Sequence, residues 1–531
     1  MPASTSSSPP LTGTGTDTGS GITKLTNCRL IIGDSLIPSD LYIDSLTGKI
    51  LEPSNNNTLL HPDITLDLQN RIVSPGLIDC QLNGAFGFNF STLTSSTEYL
   101  QNIHSLNKKL IRTGVTSYLP TLTSQKPELY HSALPHLGPL LSRSSGTDNR
   151  NGSESLGAHV EGPFLSPIQH GIHDPAVLRA ADSFKDLEHV YGSSNLTSAG
   201  KGGGNIKLIT IAPERGSIVK LIPELVARGI VISIGHTESS LPVAAAAVKA
   251  GAKMITHLFN AMKPLHHREP GVFGLLGLGS GLPVSGSVPE SGEEDSTSKR
   301  PYYGVIADGI HLHPLTVSLA YNFHPQGFIL VTDAMHLAGM PDGKYEWVNG
   351  EKKEWIEKRG TKLCIAEPPA LPSPPPSPSS SLGKQNGHHV NKGLGRSQVQ
   401  EAIIQNGNGE EKKKCGGGGG GGGVGGIAGS SATLLECVNN VLQWTGMSVP
   451  KALASVTSTP AEMLGLKGVK GSLEPGADAD LVVFEEVEVE VEDLLGGSGR
   501  INRKQLVVDE VWKFGERVYV REGNALVGSK S

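Results

Sequence analysis

The run Ile230–Met262, IVISIGHTESSLPVAAAAVKAGAKMITHLFNAM, decides the fold. Ile230 to Ile234 is a largely β-branched apolar run, as a strand buried on both faces requires. Ser239 or Ser240 can cap a helix through the alanine-rich Val243 to Ala250, and Gly251 can end it. Lys253 to Phe259 reads as a second buried strand. The unit is therefore βαβ, and each strand delivers a histidine at its carboxyl end, His236 and His257. In a parallel β/α barrel, functional groups sit at that end. Either histidine alone reads as a satisfied polar residue at a strand end. A ring-bearing polar residue at the same place in consecutive units points instead to one shared divalent metal ion.

Working outward, the same regime begins at Pro75. Gly76 to Gln81 (GLIDCQ) is an apolar strand ending in polar residues. A helical stretch follows over Glu98 to Thr113, then a strand from Val115 to Leu119. Gly157 to Val160 is a short strand running into Glu161. Lys207 to Ile211 is another strand, followed by a helix over Gly216 to Arg228. Tyr303 to Ala307 and Gly327 to Thr332 complete eight strands, mostly separated by helical segments. That count predicts an α/β fold, a (β/α)8 TIM-like barrel over 75–469.

The two chain ends differ. Lys24 to Ile32, Asp40 to Ile43 and Ile64 to Val73 are short strands set off by turns, as are Ala479 to Phe484 and Gln505 to Val520. They predict one small β-sandwich domain assembled from 23–74 and 470–531, after a disordered tail over 1–22. The alternating EEVEVEVED of Glu485 to Asp493 is expected to be an extended edge or linker. Four low-complexity inserts are expected at about 142–155, 192–204, 280–299 and 367–426, the last holding PPALPSPPPSPSSS and a run of glycines. None of these can bury enough apolar surface to offset ordering entropy.

Composition agrees. Hydrophobic residues make up 37% of 531, against 67 glycines and 35 prolines, which reads as a folded enzyme diluted by inserts. A formal net charge of −6 gives no reason to expect nucleic acid or an anionic membrane as partner. No apolar run approaches a membrane span, and the N-terminus lacks the pattern of a secretory signal. Five scattered cysteines without a CxxC fit a reducing compartment, the cytoplasm, and no structural disulfide.

The chemistry gathers at the strand ends. Glu161 leads into Gly162-Pro163, a turn suited to holding a carboxylate at the barrel mouth. With His236 and His257 it makes three protein ligands, the layout of a catalytic site with an open position. Zinc suits the set, as do Fe(II), Co(II) and Mn(II). Asp333 ends the eighth strand. It reads either as a helix cap or, opposite a metal triad, as a general acid/base.

In order along the chain stand HVEGPF (159–164), GHT (235–237), THLFNAM (256–262), HREPG (267–271), ADGIH (307–311) and VTDAM (331–335). With PGLIDCQLNG (75–84) and PGADADLVVF (475–484), they resemble the N-acetylglucosamine-6-phosphate deacetylases of the amidohydrolase superfamily. The resemblance spans roughly Lys24 to Val520 without the inserts. It implies Glu161, His236 and His257 as metal ligands, Asp333 as acid/base, and His173 as the residue contacting the acetamide. It further implies substrate contacts at Ile172, Asn260, Ala261, Arg268, Asp308, His311, Ile427, Ala428 and Gly429. Arg268 is apt because a guanidinium binds phosphate bidentately. The implied substrate is a phosphorylated amino sugar, and the implied assembly a homodimer.

Most amidohydrolases carry His-x-His at the end of the first strand, where it holds a second metal. Here the positions read Gln81-Leu82-Asn83. Neutral amides are poor ligands for borderline metals, which argues for one divalent ion per subunit and makes Gln81 and Asn83 contacts to substrate or water. A two-metal site would need other ligands, with His159 and His336 nearest in sequence. The competing readings are another amidohydrolase, acting on a different amide or cyclic amide, and a catalytically inert scaffold whose proline-rich insert docks a partner.

Overall fold

Eight parallel strands run in the order expected: Leu77–Leu82, Val115–Leu122, Ala158–Glu161, Ile206–Ile211, Val231–Ile234, Met254–Ile255, Tyr302–Ile306 and Phe328–Val331. Each pairs with the next from the first to the eighth. The computed structural model describes residues 20–55, 58–92, 94–139, 151–197, 204–277, 300–349, 352–368, 427–492, 500–522 and 529–530. The expected tail (up to residue 19), the insert 280–299 and the greater part of the insert 367–426 lie outside these residues, as do 142–150 and 198–203 of the two shorter inserts.

Several boundaries move. The insert expected to run to 155 ends earlier, because Glu154–Ser155 is a strand pairing with Ser117 and Tyr118. The second insert, expected from 192, begins later, because Ser193–Leu196 is a 3-10 turn that buries Leu196. The helix of the βαβ unit spans Leu241–Lys249 with Ser240 at its N-cap. The strand after it is only Met254–Ile255, not Lys253 to Phe259, because His257 and Phe259 take positive φ and turn the chain out of the sheet.

The strand interior is layered. Ile78, Leu119, Leu208, Val231, Met254, Ile306 and Ile329 pack into one buried cluster with Ala461, Met463 and Leu464, which plug one end of the barrel. Two residues further along four of these strands, on the same face by strand alternation, stand Thr121, Thr210, Ser233 and Thr256. They are hydrogen-bonded together: Thr210 Oγ1 lies 2.7 Å from Thr256 Oγ1, and Thr256 Oγ1 lies 2.6 Å from Ser233 Oγ. His159 joins this layer through Nε2, 2.8 Å from Thr210 Oγ1. The layer forms a polar floor of satisfied groups beneath the strand ends.

First and eighth strands meet by another means. Asp333 N–H donates to Gln81 O at 2.8 Å, and Leu82 bridges Ala334. The Asp79 carboxylate accepts from Thr332 Oγ1 at 2.6 Å and from Thr332 N–H at 3.3 Å. A side chain thus supplies part of the hydrogen bonding that a ladder supplies elsewhere. Burial raises the Asp79 pKa to about 7.

Both chain ends build one nine-stranded sheet, with Ile22–Ile32 parallel to Ile64–Pro75 and the latter antiparallel to Leu481–Glu492. EEVEVEVED is therefore no linker: 481–492 pairs along its length with 500–513. A four-stranded antiparallel sheet of Gly343–Asn349, Lys352–Arg359, Lys362–Ala366 and Ile427–Ser430 was not expected from the sequence. Its signal is the alternation in YEWVNGEKKEWIEK around Asn349-Gly350, a hairpin dipeptide. Cys28, Cys80 and Cys437 are free and buried. Cys364 is disulfide-bonded, against the expectation of no bridge. Among the described residues no helix is long and apolar enough to cross a membrane.

Barrel and end-built sheet are joined by buried charge. Lys513 Nζ lies 2.7 Å from both Glu154 Oε1 and Asp480 Oδ2. Lys470 meets Glu154, Asp480 (2.5 Å) and Asp478 (3.0 Å). Burial works against ionisation of Asp480, but the two ammonium groups outweigh it and hold the pKa far below the usual carboxylate range. Removing one partner from such a network leaves an uncompensated buried charge, at a cost of about 3–5 kcal/mol. Asp480→Ala is accordingly expected to lower the denaturant midpoint substantially. An unchanged midpoint would show that the network is energetically neutral.

Candidate functional site

Three strand ends use the same device. His236, His257 and Asp333 each stand two residues past the last strand residue, at φ 47°, 27° and 46°. Positive φ is costly for residues with a Cβ, and such positions concentrate at functional sites. Here it turns the chain sharply, so that each side chain reaches the cavity at the strand ends. Glu161 needs no such turn, because it is the last residue of its strand.

The side chains converge. Glu161 Oε1 lies 3.2 Å from His236 Nε2 and 3.0 Å from His257 Nε2, and the two ring nitrogens are 3.1 Å apart. His236 Nδ1 lies 2.7 Å from Gln169 O, a carbonyl that can only accept. In the neutral ring Nε2 then carries a lone pair, aimed at a carboxylate oxygen. Such a set of acceptors is what a cation satisfies, so the residues fit a divalent metal. Burial works against charge on both Glu161 and His257, but their attraction prevails, lowering the carboxyl pKa and raising that of the imidazole.

Proximity alone also groups His173 with Glu161 and His236, since ligand atoms of the three lie within 4.8 Å of one another. Its hydrogen bonds argue otherwise. Ser124 N–H donates to His173 Nδ1 at 3.0 Å, so the ring hydrogen sits on Nε2, which lies 3.8 Å from Glu161 Oε2. Burial, with the neighbouring His236, lowers the pKa to about 3 and keeps the ring neutral. His173 is thus a fixed hydrogen-bond donor beside the triad. Ser124 gave no signal in the sequence beyond its place just after the second strand.

Asp333 is buried, and Asn83 Nδ2 donates to its Oδ1 at 2.7 Å. Burial, joined by the charge of Glu161, raises its pKa to about 6. Gln81 Nε2 donates to Glu161 Oε1 at 3.1 Å. Asp308 takes the N–H groups of Ile310 and His311 and holds His311 Nδ1 at 2.8 Å.

A cleft is lined by Asn83, Glu161, Ile172, His173, His236, His257, Asn260, Ala261, His311, Asp333 and Gly429, with Thr123, Gly171, Ile306 and Met335, which the sequence reading missed. Of the remaining expected residues, Asp308 acts behind His311 and Gln81 behind Glu161. Arg268 is exposed on the loop after Met262 and does not line the cleft. For Ile427 and Ala428 only the backbone is described, within the strand that carries Gly429. His159 is held in the polar floor beneath the site. His336 is buried, with its pKa lowered by burial to about 4.

Comparison with known proteins agrees with this geometry. The Amidohydrolase family matches residues 432–519. The chain is 35% identical to N-acetylglucosamine-6-phosphate deacetylase of Mus musculus over 88% of this chain and 93% of that protein. It is 34% identical to the enzyme of Homo sapiens, with the same shares covered. The solved structure of the Mycobacterium smegmatis N-acetyl-D-glucosamine-6-phosphate deacetylase, a mutant in complex with N-acetyl-D-glucosamine-6-phosphate, superposes with a TM-score of 0.60 at 23% identity. That match covers 94% of this chain and 98% of the other, and shows a shared fold. With such identity to the mouse and human proteins across most of each sequence, the chain belongs to the N-acetylglucosamine-6-phosphate deacetylase family of amidohydrolases.

Proposed function

We propose that the protein hydrolyses the acetamide of N-acetyl-D-glucosamine 6-phosphate, giving D-glucosamine 6-phosphate and acetate. The observation that carries the reading is the Glu161–His236–His257 cluster facing the same cleft as Asp333, in a chain of this family. Those three residues would hold one divalent ion, zinc by the donor set, with iron, cobalt and manganese as alternatives. When bound, the ion supplies Lewis acidity toward the acetamide carbonyl and toward water.

The remaining chemistry belongs to the chain. Asp333 accepts the proton of the attacking water at its carboxylate and returns it to the departing amine nitrogen. A pKa of about 6 leaves it mostly ionised at neutral pH, yet basic enough for the transfer. His173, neutral and with its hydrogen fixed on Nε2 by the Ser124 amide, donates to the oxygen that gains charge in the tetrahedral state. His311, steadied by Asp308 in the cleft, binds the phosphate; Arg268, which the loop after Met262 carries outside the cleft lining, would have to reach it from there. Asn260, Ala261 and the strand Ile427–Ser430 seat the sugar. Gln81 holds Glu161 by its amide and binds a second ion weakly. Such an activity serves amino-sugar catabolism; the family resemblance implies a homodimer, and the cytoplasmic location rests on the cysteine spacing and the N-terminal sequence alone.

The purified protein should release acetate from N-acetylglucosamine 6-phosphate. Asp333→Asn should lower turnover by about 10²–10⁴-fold while keeping fold and bound metal, because an amide cannot accept and return the proton. Near-normal turnover would sink the assignment.

Arg268→Ala should raise KM for the phosphorylated sugar more than for plain N-acetylglucosamine. Equal losses on both would make Arg268 a structural residue.

Metal analysis should find about one tightly held equivalent per chain, much reduced in Glu161→Gln, since amides are poor ligands for borderline metals. Two stable equivalents, one of them lost on Gln81→Ala, would refute the single-ion reading.

A further inference from the structure

The seam between the first and eighth strands points to a role for Asn83 beyond lining the cleft. Its side-chain amide donates twice to one residue, to Asp333 Oδ1 at 2.7 Å and to Asp333 O at 3.3 Å. Its own N–H donates to Ala334 O at 2.9 Å, and Asp333 N–H donates to Gln81 O at 2.8 Å. Asn83 and Asp333 are thus tied to each other by backbone on both sides and by side chain between them. One strand turn below, Thr332 is clasped by the Asp79 carboxylate. The residue so held is in a left-handed conformation, φ 46°, which its own preferences do not maintain.

The orientation of the Asn83 amide follows from chemistry. An ionised carboxylate accepts only, so the atom 2.7 Å from Asp333 Oδ1 is the nitrogen. That leaves Asn83 Oδ1 without a hydrogen-bond partner among the described residues, on a side chain only 7% exposed that lines the cleft.

We propose that Asn83 is a positioning residue for the hydrolysis: its amide fixes the Asp333 carboxylate in the one orientation from which it can exchange a proton with water and amine. Asn83 itself transfers no proton and holds no ion. Two rotatable bonds separate the Asp333 carboxylate from its backbone, and Asn83 is the described hydrogen-bond partner of that carboxylate. Without the amide the group remains present and ionisable, but its oxygens turn away from the line of transfer. This inference rests on the deacetylase reading and on Asp333 as its acid/base.

The test is steady-state kinetics on N-acetylglucosamine 6-phosphate for the wild type, Asn83→Ala and Asn83→Asp, with bound metal and thermal midpoint measured on each. In Asn83→Ala, kcat should fall by about 10–100-fold, the scale of a small misplacement of a reacting group, while KM and bound metal stay near wild type. Asn83→Asp preserves shape but sets a second carboxylate against Asp333, so it should be at least as impaired as the alanine variant. A purely structural role would make the near-isosteric Asp the milder change, and that order would overturn the proposal. So would wild-type kcat in Asn83→Ala, or a raised KM with kcat intact, which would make Asn83 a substrate contact. If Asn83→Ala does not fold, the Asp variant decides alone: folded with normal kcat, it refutes the role. Absence of acetate release by the wild-type protein would instead reject the deacetylase reading.

Discussion

A carboxylate oxygen and an imidazole lone pair held 3.2 Å apart, both buried, repel each other unless a positive charge lies between or beside them. With a neutral ring the Glu161–His236 contact is such a pair, and much of the barrel mouth is arranged around keeping it. The Gln169 carbonyl fixes the tautomer of His236 from behind, and the Gln81 amide restrains Glu161 from the side. Left-handed backbone at His236 and His257 brings both rings in at an angle that a continuing strand would not permit. Strain and repulsion of this kind persist only when the surroundings over-determine them. Here the surroundings are eight strands whose interior is apolar at one end and hydroxyl-lined just beneath the site.

That polar floor explains why the strand ends can be so dense in charge. Thr121, Thr210, Ser233, Thr256 and His159 hydrogen-bond among themselves, so the groups facing the triad from below are already satisfied. An apolar layer there would raise the desolvation cost of the triad, and an unsatisfied one would compete for its ligands. His159 belongs to this floor. Its burial pushes the pKa down to about 4, as suits a neutral ring engaged on both nitrogens.

How much of this was legible in the chain depends on the range of the interaction. Strand count is local and so legible in the sequence; the cap is less so, because Ser240 stands at the N-cap of Leu241–Lys249 without a side-chain bond and the Leu241 N–H goes to Glu269 Oε1 instead. His236, His257, Glu161 and Asp333 were readable because they recur at strand ends. For 485–492 the sequence leaves an extended edge and a linker open, and the pairing with 500–513 on one side only decides for the edge strand. The antiparallel pairing over 343–366 is local, a pair of hairpins with a signal in the sequence, and only its closing partner, Ile427–Ser430, is distant. Ser124, Gln169 and Gly171 act on the site through backbone or absence of side chain, which leaves little trace in residue type. Arg268 was picked out for its chemistry, which says nothing about where its loop carries it.

The antiparallel sheet also shows how the site tolerates its largest neighbour in sequence. Lys362–Ala366 and Ile427–Ser430 are adjacent strands, with Leu363 opposite Gly429 and Cys364 opposite Ile427. Cys364, just inside one attachment point of the long Pro/Gly-rich stretch, and Ile427, at the other, are therefore about one strand spacing apart, roughly 5 Å. Chain added between points already held together stretches neither of them, and the entropic cost of a closed loop rises only logarithmically with its length. What the site requires is the pairing itself, because it sets Gly429 against Met335, and both line the cleft. A Cβ at Gly429 would approach Met335 Sδ to 2.6 Å, at a φ of 147° that side chains rarely adopt. The constraint on this part of the chain thus falls on the paired residues of these two strands, Gly429 among them. The length between them is left almost free.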